Sequence, residues 1–371
     1  SMKVNSIPYR PIWPSADGTA VEIIDQRVLP HSFETCRLMT CADAVHAIQA
    51  MLVRGAPLIG VTAAYGLWLA LREEASDAAL AQAAARLRAT RPTAVNLQWA
   101  LDDIQACVKP LAPADRADAA FRRAGELCEA DVAMNAAIGH HGLEVLKQIY
   151  AAKRDGGSLN ILTHCNAGWL ATVDWGTALA PIYMAYDTGI PVRVWVDETR
   201  PRNQGAALTA WELSQHGVPN RVIVDNAGGL LMARGEVDLC ITGTDRTTAS
   251  GDVCNKIGTY LKALAARDNG VPFYVALPGP TIDWSLSNGA DIPIEERDGR
   301  EVSHVPGQTD EGAPAAVRIT PPGAAVANYG FDITPARLVT GLITERGLCE
   351  ASASGLAGLY PDKAADKTTT P

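Results

Sequence analysis

Between residues 159 and 277 the chain alternates short β-prone runs with helical stretches, and this alternation limits the possible folds more than any other feature of the sequence. Repeated strand–helix–strand order is typical of βαβ units, whose crossovers place successive strands parallel in one sheet. The pattern therefore predicts an α/β fold with a mainly parallel sheet. The predicted strands lie near residues 159–163, 192–196, 221–224, 238–242 and 272–277.

The residues before this region carry the 3.6-residue apolar spacing of amphipathic helices, from about Cys41 to Lys153. Ahead of them, Asp17-Gly18 marks a short hairpin-like pair, which is followed by a β-prone run from Val21 to Asp25. The N-terminal part is therefore predicted to be mostly helical with a short β segment at its start. The predicted helices are residues 42–53, 56–74, 77–89, 94–108 and 113–152.

A glycine-containing linker, Arg154-Asp155-Gly156-Gly157-Ser158, separates the two patterns. Together with a length of 371 residues, it predicts two domains. We expect a small helical domain at 2–153 and an α/β domain at 158–361, followed by a disordered tail at 362–371. Residues 291–320 are polar and irregular, and we interpret them as a long surface excursion.

Composition argues against several classes of protein. A hydrophobic content of 47% with 20% charged residues is typical of a soluble globular protein, and a net charge of -9 disfavours nucleic acid or an anionic membrane as a partner. No apolar run approaches the roughly 20 residues that span a bilayer, and no signal peptide is recognised. The eight cysteines have no CxxC spacing, which argues against a metal site and fits a reducing cytoplasm. Because no GxGxxG follows a predicted strand, no nicotinamide or flavin cofactor is expected.

Three predicted strands end in reactive or hydrogen-bonding residues rather than in ordinary turn residues. Cys165 follows the strand LNILTH, the residues 198–205 (ETRPRNQG) follow VRVWVD, and Asp245 follows the strand that ends near residue 242. Open α/β sheets bind ligands at the carboxyl ends of their strands. These three endings therefore predict one site.

Two segments are candidates for binding a phosphate at the start of a helix. We interpret Ser250-Gly251-Asp252 as an N-cap cluster, with Asn255 and Lys256 in the first turns of the next helix. Arg54-Gly55-Ala56-Pro57 fits either an ordinary helix-start turn or a phosphate contact, because proline is favoured at a first helical position and arginine offers a forked donor. The residues alone leave both interpretations of this second segment open.

Each reactive residue also has an ordinary structural interpretation. A buried cysteine commonly behaves as a small hydrophobe, although the place of Cys165 between a strand and the turn into a predicted helix favours a reactive thiolate. Asp245 fits either an Asx-turn or a carboxyl that stays protonated beside an apolar wall and acts as an acid. His164 precedes Cys165, but adjacent strand residues point to opposite faces, so we do not pair the two.

Seven stretches together resemble the methylthioribose-1-phosphate isomerase family over nearly the whole chain. The wider family also includes ribose-1,5-bisphosphate isomerases and regulatory subunits of a eukaryotic translation initiation factor, and the resemblance implies a Rossmann-like sheet. The matching stretches are Asp25-Gln26-Arg27 with Leu29-Pro30, VRGAPLIGVTAAYG at 53–66, ATRPTAVNLQWA at 89–100, ILTHCNAGWLAT at 161–172, VDETRPRNQGAALTAWEL at 196–213, DRTTASGDVCNKIGTY at 245–260 and FDITPARLVTGLITERG at 331–347.

The resemblance implies roles for individual positions. Cys165 in THCNAG and Asp245 in GTDR match the family's catalytic pair. The resemblance also implies a small-molecule sugar phosphate as the ligand and a homodimer as the assembly. The positions that match the family's substrate and phosphate contacts are Arg54, Gly55, Ala56, Arg91, Gln204, Asn255 and Lys256.

The implied reaction converts 5-methylthioribose 1-phosphate to the ketose 1-phosphate, in methionine salvage. Phosphate on the anomeric oxygen locks the sugar ring, so the ring must open with the phosphate attached. Asp245 suits the acid that protonates the ring oxygen, and Cys165 suits the group that manages the hydrogen moving from carbon 2 to carbon 1. A proton route through an enolate and a hydride route in a dry cavity both stay open.

Two alternative functions also stay open. One is a related isomerase that acts on 5-deoxyribose 1-phosphate or ribose 1,5-bisphosphate. The other is a non-catalytic regulatory subunit of the initiation-factor type, which would not need the cysteine and aspartate pair.

Overall fold

The computed structural model describes residues 2–365. Its N-terminal region starts with a two-stranded and a three-stranded antiparallel sheet. The hairpin predicted around Asp17-Gly18 is present and joins the third strand to the fourth. The strands are β1 (Lys3–Val4), β2 (Ile7–Pro8), β3 (Ile12–Pro14), β4 (Val21–Ile24) and β5 (Thr35–Leu38).

Five helices follow, and their bounds agree closely with those predicted. The first ends at Gln49 rather than near residue 53, because Met51 adopts a left-handed backbone conformation with φ 57°. The fifth, at 40 residues, matches the prediction at both ends. The helices are α1 (Cys41–Gln49), α2 (Ala56–Glu73), α3 (Asp77–Thr90), α4 (Val95–Val108) and α5 (Pro113–Ala152).

Helix α2 lies at the centre of the N-terminal region. It is apolar on almost every side, and its residues from Ala56 to Leu71 are buried except for Pro57 and Ala70, as expected for a helix enclosed by others. It packs against α1, α3, α4 and α5, and its first turn contacts the 3-10 turn Trp169–Ala171. This packing fixes the N-terminus of α2 against the C-terminal region.

The C-terminal region alternates strands and helices as predicted and contains more strands than the sequence indicated. Its strands are β6 (Leu159–Thr163), β7 (Val192–Asp197), β8 (Asn220–Ile223), β9 (Leu239–Thr242), β10 (Arg246–Thr248), β11 (Val253–Lys256), β12 (Phe273–Ala276), β13 (Ile282–Asp283), β14 (His304–Gln308), β15 (Pro314–Arg318), β16 (Phe331–Thr334), β17 (Gly341–Thr344) and β18 (Gly347–Cys349). Its helices are α6 (Leu179–Asp187), α7 (Ala210–His216), α8 (Gly228–Ala233), α9 (Thr259–Asp268), α10 (Arg300–Ser303), α11 (Ala353–Leu359) and α12 (Pro361–Ala365).

Seven of these strands form the main sheet, in the order β18-β17-β12-β9-β6-β7-β8. Neighbouring strands are parallel except at the edge strand β18, so the predicted mainly parallel sheet is confirmed. Apolar residues of α5 and α6 cover one face and those of α8 and α9 cover the other. Because both faces are covered, all four residues of β9 are buried, as in other parallel sheets.

A second sheet of four short strands has the order β13-β10-β11-β16. Asn255 and Lys256 belong to β11, so their predicted placement in the first turns of a helix was wrong. The reason is that β11 pairs antiparallel with both β10 and β16. The next helix, α9, starts at Thr259 with Gly258 as its N-cap. Asp252 does not cap α9, because its carboxylate accepts the backbone N–H groups of Gly289 and Ala336, which start two 3-10 turns.

Two further predictions need correction. Residues 291–320 are not irregular throughout, because they contain α10 and the antiparallel hairpin of β14 and β15. The predicted tail at 362–371 begins in α12, where Asp362 pairs with Arg346 at 2.6 Å. The rest of the predicted tail, 366–371, lies outside the described residues. Within residues 2–365 no helix is both long and apolar enough to cross a membrane.

Candidate active site

The carboxyl end of β6 presents Cys165 in an unusual turn. The backbone of Cys165 has φ 64°, in the left-handed region that residues with a side chain seldom occupy. Thr199 Oγ1 accepts the Cys165 N–H at 2.8 Å, and Thr209 Oγ1 donates to the Cys165 carbonyl at 2.7 Å. Two threonine hydroxyls therefore hold the turn that places the thiol at the edge of the sheet.

The segment after Cys165 does not lead directly into an α-helix, and this part of the prediction was wrong. It passes through the 3-10 turn Trp169–Ala171, and α6 begins only at Leu179. The helix start near the thiol is that of α2, whose first residues line the same cavity as Cys165. The backbone amides that face the thiol cavity from a helix therefore come from the N-terminal region.

The N-terminus of α2 is open toward this cavity. Gly55 is its N-cap with φ 94°, and no side chain caps the first amides. A Cβ at Gly55 would lie 2.5 Å from the Cβ of Ala171, so only glycine allows the two segments to approach this closely. Uncapped amides at a helix start, with the Arg54 side chain next to them in sequence, favour an anion such as a phosphate.

Most of the predicted site residues line one cavity of about 440 Å³. The cavity joins the carboxyl ends of β6 and β9 to the start of α2, which are distant in sequence. The thiol of Cys165 and the carboxyl of Asp245 therefore belong to the same space. The predicted residues that line it are Arg54, Gly55, Ala56, Cys165, Asp245 and Asn255.

The Arg54 guanidinium lies beside the thiol. Its Nη1 donates to Asn166 Oδ1 at 2.6 Å and its Nη2 donates to the Asn166 carbonyl at 2.8 Å. The same Nη2 is 4.0 Å from the Cys165 Sγ. A fixed cation at this distance stabilises negative charge that develops on the sulfur or on a bound ligand.

Asp245 faces the cavity with a free carboxyl. Its backbone N–H donates to the Cys254 carbonyl at 2.9 Å, but no group among residues 2–365 forms a hydrogen bond with its side chain. Burial raises the Asp245 pKa, while Lys256, Arg91 and Arg54 act to lower it. Because burial prevails, the carboxyl retains its proton to a higher pH than an exposed aspartate does.

A second cavity of about 480 Å³ adjoins the first and shares Gly55, Ala56 and Asp245 with it. Arg91 lines this cavity, 3.8 Å from Glu295, and burial lowers the Arg91 pKa. Its remaining wall is largely apolar. The apolar lining residues are Ile59, Ala94, Ile292, Pro293 and Phe331.

Lys256 and Gln204 stand apart from the other predicted contacts. The Lys256 ammonium lies 4.5 Å from the centre of the Phe331 ring, and burial lowers its pKa. Gln204 lines a separate groove of about 2210 Å³ that Arg54 also borders. The buried Gln204 Oε1 has no hydrogen-bond partner in the described part of the chain. The structure therefore places Lys256 against the wall of the second cavity and Gln204 on the outer side of Arg54.

Several residues around the site were not singled out from the sequence. Thr199 and Thr209 hold Cys165, and Glu212 accepts a hydrogen bond from Asn166 at 2.8 Å. All three fall within the matching stretch 196–213, but nothing in its spacing indicates which side chains turn toward Cys165. The sequence provides no reason to pair His164 with Cys165, and the two form no hydrogen bond. His164 Nδ1 contacts Asp197 at 2.8 Å instead.

One cluster of side chains within residues 2–365 has ligand atoms close enough for a metal ion. It consists of His164, Asp197 and Asp225, with ligand atoms within 4.8 Å of one another. The Lys262 ammonium occupies this neighbourhood, because it lies 3.2 Å from Asp197 Oδ2 and donates to the Asp225 carbonyl. Lys262 already supplies a cation to Asp197 Oδ2, so a metal ion in this cluster would have to compete with the ammonium.

The fold and site define an α/β protein with a cavity where the carboxyl edge of its sheet meets the start of a helix. The chain belongs to the initiation factor 2 subunit family, whose model matches residues 52–351. A methylthioribose-1-phosphate isomerase of Methylorubrum populi is 64% identical over 363 residues, which cover 98% of this chain and 99% of that protein. The protein of the same description from Rhizobium meliloti is 62% identical over 363 residues, 98% of this chain and all of that one.

Among solved structures, similar proteins are described either as isomerases or as initiation factor subunits. The 5-methylthioribose 1-phosphate isomerase of Pyrococcus horikoshii superposes with a TM-score of 0.82 at 38% identity, covering 96% of this chain and 97% of that one. A structure described as translation initiation factor eIF-2B, subunit delta, from A. fulgidus gives a TM-score of 0.78 at 36% identity, covering 95% of this chain and 100% of that one. The fold is therefore shared by proteins that are described as enzymes and as initiation factors.

Proposed function

We propose that this protein is an aldose–ketose isomerase that converts 5-methylthioribose 1-phosphate to 5-methylthioribulose 1-phosphate. The observation that carries the proposal is that the Cys165 thiol and the Asp245 carboxyl line one cavity beside the uncapped start of α2. Relatives described as methylthioribose-1-phosphate isomerases, 60–64% identical over 98% of this chain, support the choice of substrate.

The proposed chemistry begins with ring opening. The Asp245 carboxyl donates its proton to the ring oxygen as the bond from carbon 1 to that oxygen breaks. The raised pKa of Asp245 supports this role, because an acid must still hold its proton near the working pH. The phosphate stays on the oxygen of carbon 1 throughout this step.

The second step moves the hydrogen of carbon 2 to carbon 1 and leaves a ketone at carbon 2. Cys165 acts in this step. In a proton route its thiolate removes the carbon 2 proton and returns it to carbon 1. In a hydride route the hydrogen moves with its electron pair to carbon 1, which ring opening leaves electron-poor. In either route the carbon 2 hydroxyl loses its proton as the ketone forms, and the Asp245 carboxylate left by ring opening takes it up. The Arg54 guanidinium, 4.0 Å from Sγ, stabilises negative charge on the sulfur in the proton route.

The phosphate group is bound by the α2 amides and by the cations around Asp245. Arg54, Arg91 and Lys256 each act electrostatically on the Asp245 carboxyl, so a dianion near that carboxyl would meet three positive charges. Asn255, which lines the thiol cavity, contacts the sugar hydroxyls, whereas Gln204 lies in the separate groove beyond Arg54. The Asn255 Nδ2 donates to Thr259 Oγ1 at 3.0 Å, which leaves its Oδ1 free to accept from a substrate hydroxyl.

The carbon 5 substituent lies in the second cavity, where Ile59, Ile292 and Phe331 provide an apolar wall. A methylthio group suits this wall. Its removal in 5-deoxyribose 1-phosphate should cost only about 1–3 kcal/mol. The second dianion of ribose 1,5-bisphosphate would have to be desolvated against this apolar wall, which is costly even though Arg91 and Arg246 also line the cavity. We therefore rank the three sugars in this order as substrates.

The non-catalytic alternative is less well supported. The A. fulgidus structure described as an initiation factor subunit is 36% identical, whereas the Methylorubrum populi isomerase is 64% identical. A regulatory subunit would also have no need of a thiol and a free carboxyl in one cavity.

The protein acts in methionine salvage in the cytoplasm, as a homodimer and without a metal or cofactor. The apolar helical stretch 206–213 does not support the dimer, because Leu208 and Leu213 are buried in the core of their own chain. Better support comes from the edge strand β8 and the helices after it. Val222, Val224 and Leu230 are exposed there by 47%, 59% and 54%, and an unpaired edge strand is a common site of association.

The experiment is to incubate the purified protein with 5-methylthioribose 1-phosphate and follow the phosphorus resonance as the anomeric phosphate becomes a primary ester. Parallel reactions contain 5-deoxyribose 1-phosphate or ribose 1,5-bisphosphate, each with and without a chelator. We expect kcat/KM to decrease in that order, with no effect of chelation. A preference for the bisphosphate would overturn the substrate assignment. Activity that chelation abolishes and a divalent metal restores would overturn the metal-free mechanism.

A further inference from the structure

Glu212, on α7, is completely buried and its carboxyl is surrounded by donors. Its Oε1 accepts the Trp169 N–H at 2.9 Å and the Tyr183 hydroxyl at 2.8 Å. Its Oε2 accepts the Asn166 side-chain amide at 2.8 Å and the Leu170 N–H at 3.4 Å. Four donors surround the carboxyl and favour its ionised form, while burial opposes them and raises its pKa to about 7.

The Asn166 amide connects this carboxylate to the thiol. Its nitrogen donates to Glu212 and, at 3.1 Å, to Thr209 Oγ1, so its oxygen must face the opposite side, where it accepts from Arg54 at 2.6 Å. The Nη2 of Arg54 then lies 4.0 Å from the Cys165 Sγ. Because an amide has one donor end and one acceptor end, the group that fixes one end also fixes the other.

We propose that Glu212 is a positioning residue for the active site: its carboxylate orients the Asn166 amide, which holds the Arg54 guanidinium beside the Cys165 thiol. Glu212 itself touches neither the thiol nor the cavity. The proposal rests on the proposed function for its catalytic consequence, but its effect on the thiol can be measured without substrate.

The packing around Glu212 supports a dedicated place for this carboxyl. A Cβ at Gly168 would lie 1.7 Å from Glu212 Oε1, so the turn after Cys165 makes room for the carboxyl only because residue 168 is glycine. The charged or titratable groups that face it are few. Tyr183, from α6, has a pKa raised well above its ordinary value, and Arg54 lies beyond Asn166.

Asp131 provides a matched control. Its carboxyl is also buried, accepts a backbone N–H from Val173 at 2.8 Å and an amide from Asn135 at 2.9 Å, and burial raises its pKa to about 7, as for Glu212. No hydrogen bond joins it to Arg54 or Cys165. Asp131→Asn should therefore disturb the core as Glu212→Gln does, without reaching the thiol.

The test measures the rate at which iodoacetamide alkylates Cys165, by peptide mass spectrometry, together with kcat. In Glu212→Gln an N–H donor faces other donors, the Asn166 amide rotates, and Arg54 keeps the Asn166 backbone carbonyl but loses the Oδ1 acceptor that orients its guanidinium. We expect both rates to fall about tenfold or more, the effect of removing one hydrogen bond to a charged group.

Glu212→Asp keeps the charge but has a shorter side chain, so both rates should fall by less. Asp131→Asn should keep both rates within about twofold, the range expected for a change remote from the site.

The outcomes separate the two proposals. Equal alkylation rates in the wild type and in folded Glu212→Gln would overturn the positioning role, as would an equal loss in Asp131→Asn. If Glu212→Gln does not fold, unchanged alkylation and kcat in Glu212→Asp would overturn it instead. A wild-type protein that fails to convert 5-methylthioribose 1-phosphate, with Cys165 alkylation still dependent on Glu212, would overturn only the proposed function.

Discussion

At Asp245, burial and three nearby cations act on the same carboxyl in opposite directions. Burial raises its pKa, whereas Lys256, Arg91 and Arg54 lower it, and burial prevails. The cations are therefore near enough to bind a phosphate without removing the proton that ring opening requires. This balance is what distinguishes Asp245 from the many aspartates that follow strands as turn residues.

Asp245→Asn should abolish turnover while substrate still binds. Asparagine keeps the shape of the side chain but cannot donate a carboxyl proton, and a general acid is worth about 10²–10⁴-fold in rate. Titration calorimetry alongside steady-state kinetics measures both effects. Loss of binding with unchanged turnover at saturation would show that Asp245 is a contact rather than an acid.

The same substitution should change how stability depends on pH. A carboxyl whose pKa is raised in the folded state stabilises that state below its unfolded pKa of 3.8, and this contribution is lost as the pH rises through the folded pKa. Asparagine does not ionise. The unfolding free energy of the wild type minus that of Asp245→Asn should therefore decrease from acid to neutral pH in urea titrations. An increase over that range would contradict the assigned direction of the shift.

Single residues were predictable from the sequence to different degrees. Cys165 and Asp245 stand at strand ends inside matching stretches, and the structure places both in one cavity. Glu212 was not predicted, because its partner Asn166 lies 46 residues away from it along the chain and no local pattern links them. The catalytic and binding roles of all these residues stay predictions.

At the scale of elements, the start of α2 determines the shape of the site. Its N-cap Gly55 combines a left-handed backbone with close contact to Ala171. Both features depend on the absence of a side chain. Gly55 therefore allows helix α2 to place its first backbone amides at the cavity.

Gly55→Ala should destabilise the fold by at least about 2 kcal/mol, because it adds backbone strain and a clash with Ala171. It should also raise KM, since α2 must move away from the cavity. Gly125→Ala is the control, because a Cβ at this position inside α5 meets nothing within 4 Å. It should stabilise the protein by about 0.5–1 kcal/mol, as alanine does in a helix interior. Urea unfolding and kinetics measure both variants, and equal stability changes would contradict this account of Gly55.

Elements with a long periodic pattern, or with clear breaks on both sides, were predicted well, and short strands that lack such breaks were not. The 40 residues of α5 give many repeats of the helical spacing, and the central strands of the main sheet are short apolar runs between clear breaks. Strand β11 has only four residues and becomes a strand through pairing with β16, about 80 residues later. The hairpin of β14 and β15 contains glycine and prolines, which obscure a strand pattern. The division into two domains at 153–158 stays a prediction.

At the scale of the whole molecule, the exposed apolar residues of β8 and α8 are the best support for a dimer. We expect light scattering to give twice the 39.2 kDa of one chain at micromolar concentration. Val222→Glu should shift the mass toward one chain, because it places a charge in an apolar interface. Leu348→Glu, on the opposite edge strand β18, should leave the mass unchanged. A mass of one chain for the wild type would contradict the dimer, and dissociation by Leu348→Glu alone would move the interface to the other edge.

The most direct test of the proposed mechanism compares kcat for Cys165→Ser, Asp245→Asn and the double variant, with Cys349→Ser as a control thiol outside both cavities. If the two residues act as one unit on one bound sugar, each single variant should lose about 10²–10⁴-fold. The double variant should then be no slower than the slower single variant, because residues of a catalytic unit are not additive. Thermal unfolding should show that all variants remain folded. Retention of more than half of the wild-type rate by Cys165→Ser, or losses that multiply in the double variant, would contradict the proposal that the thiol and the carboxyl act together in this cavity.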